Sequence, residues 1–199
     1  MNFPLIGRLT GALVLSVGLA GCVDMTNDIY VTSATTARAT ITTVMGADVY
    51  PMIKAGAAGE DSEPFCAEAG ASLTENADGS ATCIIVSEGS FDQLQFSEDS
   101  SDSQPTFVTN ADGTVRIGVP TGNMMANLGL SEDPETAAML QQLFDGRYVT
   151  IRLGGAQIVE TNMERAPDSA NYVEARIALL ALLDGTANLP AELYAIIRP

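Results

Sequence analysis

Few side chains in this sequence could do covalent or metal chemistry. The 199 residues include three cysteines, Cys22, Cys66 and Cys83, and no histidine. Without imidazole, Ser-His-Asp and Cys-His mechanisms cannot be assembled, and no metal can be held by histidine. Two remaining thiols make a poor zinc site, which wants four nitrogen or sulfur ligands. Carboxylates are plentiful, with 25 Asp and Glu against 9 Lys and Arg. The close pairs Asp61/Glu63 and Asp99/Asp102 lie in polar stretches, however, and a glycosidase needs two carboxyls held rigidly around a cleft, one with a raised pKa. A solvated acidic face accounts for them better. The sequence has no Gly-x-Ser-x-Gly elbow, no Gly-x-x-x-x-Gly-Lys phosphate loop and no dinucleotide fingerprint. Asn76-Ala77-Asp78-Gly79 and Asn110-Ala111-Asp112-Gly113 each hold part of a calcium-loop pattern, but lack its first ligand and its closing bidentate Glu. We therefore expect no enzyme, no cofactor and no metal.

Cys22 differs from the other two cysteines in what precedes it. Met1 to Cys22 holds one cation, Arg8, then a nearly uninterrupted apolar run from Leu9 to Leu19, then Ala20-Gly21-Cys22. A short charged segment, an apolar run of this length and small residues at its end describe a secretory signal, not a spanning helix. Leu19-Ala20-Gly21-Cys22 resembles a bacterial lipobox. The resemblance implies removal of residues 1–21, a diacylglyceryl group on the sulfur of Cys22, and a mature chain of residues 22–199 forming a single domain. It also implies a place. In Gram-negative lipoproteins an Asp directly after the cysteine favours the inner membrane; here Val23 holds that position and Asp24 follows, so an outer-membrane lipoprotein facing the periplasm is expected.

Export bears on the other two cysteines. Disulfides persist in oxidising compartments, so we read Cys66 and Cys83 as a disulfide in preference to two free thiols. The formal net charge of −16 argues against nucleic acid and against anionic lipid surfaces, except through the anchor. It suits solubility and a monomer; the other reading is an acidic face for a basic partner.

The elements follow from periodicity. Asn27 to Thr32 and Ala37 to Val44 alternate apolar and polar residues and should pair as a hairpin through Ser33 to Thr36. Asp48 can cap a helix carrying Val49, Met52 and Ile53, with Pro51 in its first turn. Pro64 should open a helical turn over Phe65 to Ala69, closed by Gly70. Asp78-Gly79 and Asp112-Gly113 each stand between alternating runs and predict two further hairpins, because such turns need positive φ. Ser90 should cap a helical turn ending near Phe96, and Ser97 to Gln104 is an acidic loop. Met124, Met125 and Leu128, then a helix from Asp133 to Gly146 with Leu140 and Phe144 on its stripe, read as core in preference to a lipid-binding surface. Strands over Tyr148 to Leu153, Gln157 to Met163 and Tyr172 to Ile177 form a late meander. Ala178 to Leu183 is an all-apolar helix, buried or a contact surface, too short to span a membrane, and Tyr194 to Ile197 is the closing strand. The sum is seven or eight strands, antiparallel throughout, with two to four short helices: an α+β fold, mainly an antiparallel sheet of hairpins in one domain.

A lipidated cysteine just before a hairpin, a helical stretch, a second hairpin, an acidic amphipathic helix and a late three-strand meander together resemble the LppM-type lipoproteins of actinobacteria. The stretch from Tyr148 to Gly155, continuing through Ile158-Val159-Glu160-Thr161-Asn162, is the most similar. The chain departs from that pattern in its expected disulfide and in having no C-terminal membrane segment. The resemblance implies a compact α+β domain with an apolar pocket for lipid or glycolipid, and it carries no residue-level site. The expected function is a membrane-tethered, non-enzymatic module binding a lipid or other apolar molecule, with the membrane as partner through Cys22. The alternative is an adaptor meeting another envelope protein through its acidic surface.

Overall fold

The structure, a computed structural model, describes residues 23–56, 64–68, 70–94, 96, 104–122, 141 and 144–199. Its strands are β1 (Val23–Val31), β2 (Thr36–Met45), β3 (Ser72–Glu75), β4 (Ala81–Ser90), β5 (Thr106–Thr109), β6 (Val115–Pro120), β7 (Tyr148–Gly154), β8 (Gln157–Thr161), β9 (Glu164–Arg165), β10 (Tyr172–Ala178) and β11 (Glu192–Arg198). Two α-helices accompany them among the described residues, α1 (Tyr50–Gly56) and α2 (Leu179–Leu183). Seven strands form one sheet in the order β3-β4-β2-β1-β7-β10-β9, and four form a second in the order β5-β6-β11-β8. The fold is α+β with strands dominant.

The period-2 pattern decides which face each strand buries. On β1 and β2, Ile29, Val31, Ala37 and Ala39 are buried, while Thr26, Asp28, Tyr30, Arg38, Thr40 and Thr42 take the opposite parity. Ile151 and Leu153 of β7 and Val173 and Ile177 of β10 join the inward set. They meet Val115, Ile117 and Val119 of β6 and Leu193, Ala195 and Ile197 of β11 in one continuous core between the sheets. Each fully buried Ile, Leu or Val contributes about 1.5–3 kcal/mol of transfer free energy, so this layer is the main source of stability. Leu179 and Leu182 of α2 are buried in the same core. Gly185, at φ 65°, closes that helix. No helix among the described residues is long and apolar enough to cross a membrane.

The first hairpin forms as expected, with β1 and β2 antiparallel from Val23↔Met45 to Val31↔Ala37. Both Asp-Gly hairpins form too, with Gly79 at φ 88° and Gly113 at φ 80°. Their turns are built alike. Asp78 Oδ1 accepts from the Ser80 amide and hydroxyl, and Asp112 Oδ1 accepts from the same two groups of Thr114. Asn76 and Asn110 close the turns by donating to the Ser80 and Thr114 hydroxyls. Both carboxylates are thus engaged by their own turns.

Five expectations are corrected. The described residues alone hold eleven strands, not seven or eight, because short edge pieces such as β9 carry too little periodicity to read. The strands are not antiparallel throughout: β1 and β7 run parallel from Met25↔Val149 to Tyr30↔Gly154. They are distant in sequence, so no tight turn dictates their direction. The late meander is divided. β7 pairs with β10 in the large sheet, whereas β8 pairs with β11 in the small one. The chain changes sheets at Gly154-Gly155, where a Cβ on Gly155 would lie 2.3 Å from Ile197 Cγ2. A side chain there would have to displace the buried Ile197, so glycine suits that corner. Finally, Phe65–Cys66 is a turn and not a helix, with Cys66 at φ 70°. Ser90 ends β4 ahead of a 3-10 turn over Phe91–Gln93, without capping it by its side chain. The helix expected from Asp133 and the acidic loops at 59–63 and 97–103 lie outside the described residues, apart from helical Gln141 and Phe144.

Candidate functional site

The outward parity of the large sheet produces a groove. Its volume is about 600 Å³ and its lining is Thr26, Asp28, Tyr30 and Thr32 of the first hairpin's leading arm, Arg38, Thr40 and Thr42 of β2, Glu88 of β4, Arg152 of β7 and Tyr172 of β10. Strand pairing places these residues in rows across the sheet. One row runs Glu88, Arg38, Tyr30, Gly154, Tyr172; the next runs Val86, Thr40, Asp28, Arg152, Glu174. Thr42 and Thr26 face one another in a third.

Gly154 makes the groove possible. A Cβ there would lie 2.5 Å from Cδ1 and Cε1 of Tyr172, so the ring of Tyr172 rests directly on the strand backbone. In that position it meets Tyr30, with ring centroids 5.6 Å apart, and lies under the Arg152 guanidinium at 4.7 Å. Its hydroxyl interacts electrostatically with the Asp28 carboxylate. Burial and the Asp28 charge push the Tyr172 phenol up to about 12, so it is a permanent donor at neutral pH. Burial is also what raises the Asp28 carboxyl above the usual aspartate value; the Tyr172 hydrogen bond and Arg152 and Arg38 oppose it without cancelling it.

Arg152 is anchored from outside the groove, by Asp168 Oδ1 at 2.6 Å and by Glu174 Oε2 at 3.7 Å from its Nε, which has no hydrogen-bond partner. Arg38 is different. It is exposed and forms no ion pair within 4 Å among the described residues. The site therefore offers one committed and one free guanidinium, two carboxylates, two phenols and four threonine hydroxyls. It is balanced in charge within a chain of formal charge −16. This inventory binds by hydrogen bonds and paired charges. The resemblance implied an apolar pocket; every residue lining this groove carries a hydroxyl, carboxylate or guanidinium group, although carbon atoms make up much of its exposed lining.

Of the residues singled out in the sequence, Cys66 and Cys83 are joined as a disulfide, with Cα atoms 5.6 Å apart. It ties the turn after Pro64 to β4, beside the small cluster of Met45, Tyr50 and Ala81, against which Val23, Val49 and Phe65 pack. Cys22, Asp61, Glu63, Asp99, Asp102, Met124 and Met125 lie outside the described residues. Sequence reasoning missed the groove. Its one signal was that the polar positions of β1 and β2 are Thr, Asp, Tyr and Arg instead of the Lys and Glu of an ordinary solvated face.

No protein-family profile matches the chain, and no curated protein does. Among solved structures, the NMR structure of the folded domain of the Mycobacterium tuberculosis LppM protein is similar to it, with 11% identity over 89% of this chain and 90% of that one, at a TM-score of 0.48.

Proposed function

We propose that this protein is a lipid-anchored envelope lipoprotein whose outer-sheet groove binds the polar head of a lipid or other amphiphile, without catalysis. The anchor rests on the Leu19-Ala20-Gly21-Cys22 pattern. The ligand reading rests on the groove, above all on Arg38, an exposed guanidinium with no ion pair within 4 Å among the described residues, in a lining that includes four threonines. Arg38 suits a phosphate or carboxylate oxygen, Asp28 and Glu88 suit a cation or hydroxyl donors, and Tyr30 and Tyr172 offer ring faces. A zwitterionic or hydroxyl-rich head matches this balance, and an acyl chain does not.

The test is an NMR titration of residues 23–199 with short-chain phospholipids and, separately, with their free head groups. Shifts at Thr26, Tyr30, Thr40, Arg152 and Tyr172 with both probes support the reading. Arg38→Gln should then weaken binding about tenfold, which is about 1.4 kcal/mol. Shifts produced only by the acyl-bearing probe, and centred on core residues such as Ile117 and Ile197, would sink the polar groove. An unresponsive groove in a protein that captures another envelope protein would favour the adaptor.

A further inference from the structure

We propose that the end of the large sheet where β1 begins is itself a membrane-contact surface, on which Met52 and Ile53 of α1 and Leu73 of β3 sit in the interface of an uncharged bilayer. This rests on the reading of Cys22 as the lipidated residue. Val23 is the first residue of β1 and packs against the cluster of Met45, Tyr50 and Ala81. Consecutive Cα atoms are about 3.8 Å apart, so a lipid on Cys22 emerges one residue from that cluster with no slack for a tether. Whatever is exposed at this end is held at the bilayer.

Three observations identify that surface. Met52 is 70% exposed, Ile53 42% and Leu73 43%, and these three are half of the large apolar residues exposed among the described residues; the others, Val86, Val108 and Val159, are singles on separate strands. Charge is locally cancelled. The one cation of α1, Lys54, is 2.5 Å from Glu75 of β3, and the Tyr50 hydroxyl donates to the same carboxylate at 2.6 Å. The surface is also braced: the Cys66–Cys83 disulfide and the Tyr50–Phe65 ring contact fix α1 and β3 to the sheet, with Leu73 paired directly to Cys83.

The occupant follows from charge. The formal charge is −16, and removal of the signal takes Arg8 with it, leaving the rest one unit more negative. No basic residue is left free on α1 to attract anionic lipid, so the matching partner is a zwitterionic interface entered by apolar side chains. The orientation has a consequence for the groove. Asp28 lies five residues along β1 from Val23, roughly 17 Å at about 3.3 Å per residue, which places the groove above the lipid head groups and open to the side.

Tryptophan supplies the reporter, because the chain has none. The full chain is produced in a lipoprotein-processing host as the Met52→Trp variant, with Ile53→Trp as a second reporter and Val108→Trp as the control. Val108 belongs near the opposite end of the first hairpin, since the neighbouring Thr109 donates to Ala34 O at 2.6 Å. Each protein is reconstituted into phosphatidylcholine vesicles carrying shallow spin-labelled lipid, and its intact mass is recorded. Lipidated Met52→Trp and Ile53→Trp proteins with blue-shifted emission quenched by about half, beside an unquenched Val108→Trp control, support the proposal. Lipid on Cys22 with Met52→Trp and Ile53→Trp emission as unquenched as the control overturns this surface and leaves the anchor standing. Absence of lipid on Cys22 overturns both.

Discussion

Replacing Gly154 by alanine tests the groove through a single methyl group. The added Cβ would lie 2.5 Å from two carbons of the Tyr172 ring and 3.0 Å from a third. Carbon atoms pack at about 3.5–4.0 Å, so the ring must move by about 1 Å. That displacement strains three contacts at once: the electrostatic contact of the Tyr172 hydroxyl with Asp28, the stacking of Arg152 at 4.7 Å and the contact with Tyr30 at 5.6 Å. A polar contact of this kind contributes about 0.5–1.5 kcal/mol, a cation–π contact about 0.5–1 and an aromatic pair about 0.5–1.5. The groove is open to water and the ring keeps part of each contact, so roughly half of that sum is lost. Alanine in a strand recovers about 0.5–1 kcal/mol over glycine. The net expectation is a loss of about 1 kcal/mol, a fall in Tm of about 2–4 °C for a domain of this size. Denaturant unfolding of residues 23–199 measures it, in a double-mutant cycle with Tyr172→Ala. In the Tyr172→Ala background the same change should cost nothing or stabilise. Equal stability of Gly154→Ala and the parent protein in both backgrounds would refute the reasoning, because Tyr172 would then not be resting on that glycine.

Three further predictions concern titration and the disulfide. The folded-state pKa of Asp28 is raised, so the folded protein holds this proton more tightly than the unfolded chain does. Its ionisation therefore lowers stability as pH rises from the ordinary aspartate value through the raised one, and Asp28→Asn should be more stable relative to the parent at pH 7 than at pH 3, as read by denaturant titration at both. Asp112 has the opposite sign, since the Thr114 hydroxyl and amide hold its carboxyl below the usual value. Its contribution is present above that usual value and is lost as pH falls through the depressed one, so Asp112→Asn should cost stability at pH 7 and little at pH 2. Reducing Cys66–Cys83, which closes a sequence separation of 17, should cost about 3 kcal/mol in the chain-entropy account, with matched unfolding curves with and without reductant as the measurement. Alkylation of both thiols in the unreduced, denatured protein would contradict the bridge.

The sequence carried the local structure better than the long-range arrangement. The Asp-Gly turns, the first hairpin, α1, α2 and β11 were legible because their signals are short-range: positive φ at Gly79 and Gly113, alternation in Ile29-Tyr30-Val31, an apolar run stopped by Asp184-Gly185. The disulfide was legible from cysteine arithmetic and compartment. What failed was partnership between distant strands. Tyr148 to Leu153 and Gln157 to Met163 alternate as two arms of a hairpin would, yet the glycine corner at Gly155 sends them to different sheets. The groove failed for the same reason. Asp28 comes opposite Arg152 only through the parallel pairing of β1 with β7, and Tyr172 reaches Asp28 only because Gly154 has no side chain. No window along the chain contains those neighbours.

The membrane tether is the central claim, since both the proposed ligand and the proposed contact surface depend on the bilayer being there. Intact mass spectrometry of the protein expressed from its full sequence and extracted from the membrane fraction tests it directly. The account predicts a chain beginning at Cys22 and carrying a diacylglyceryl group on that sulfur, with Cys22→Ser abolishing both the added mass and the membrane association. A chain that begins elsewhere, or a free thiol on Cys22 in membrane-associated protein, would contradict it.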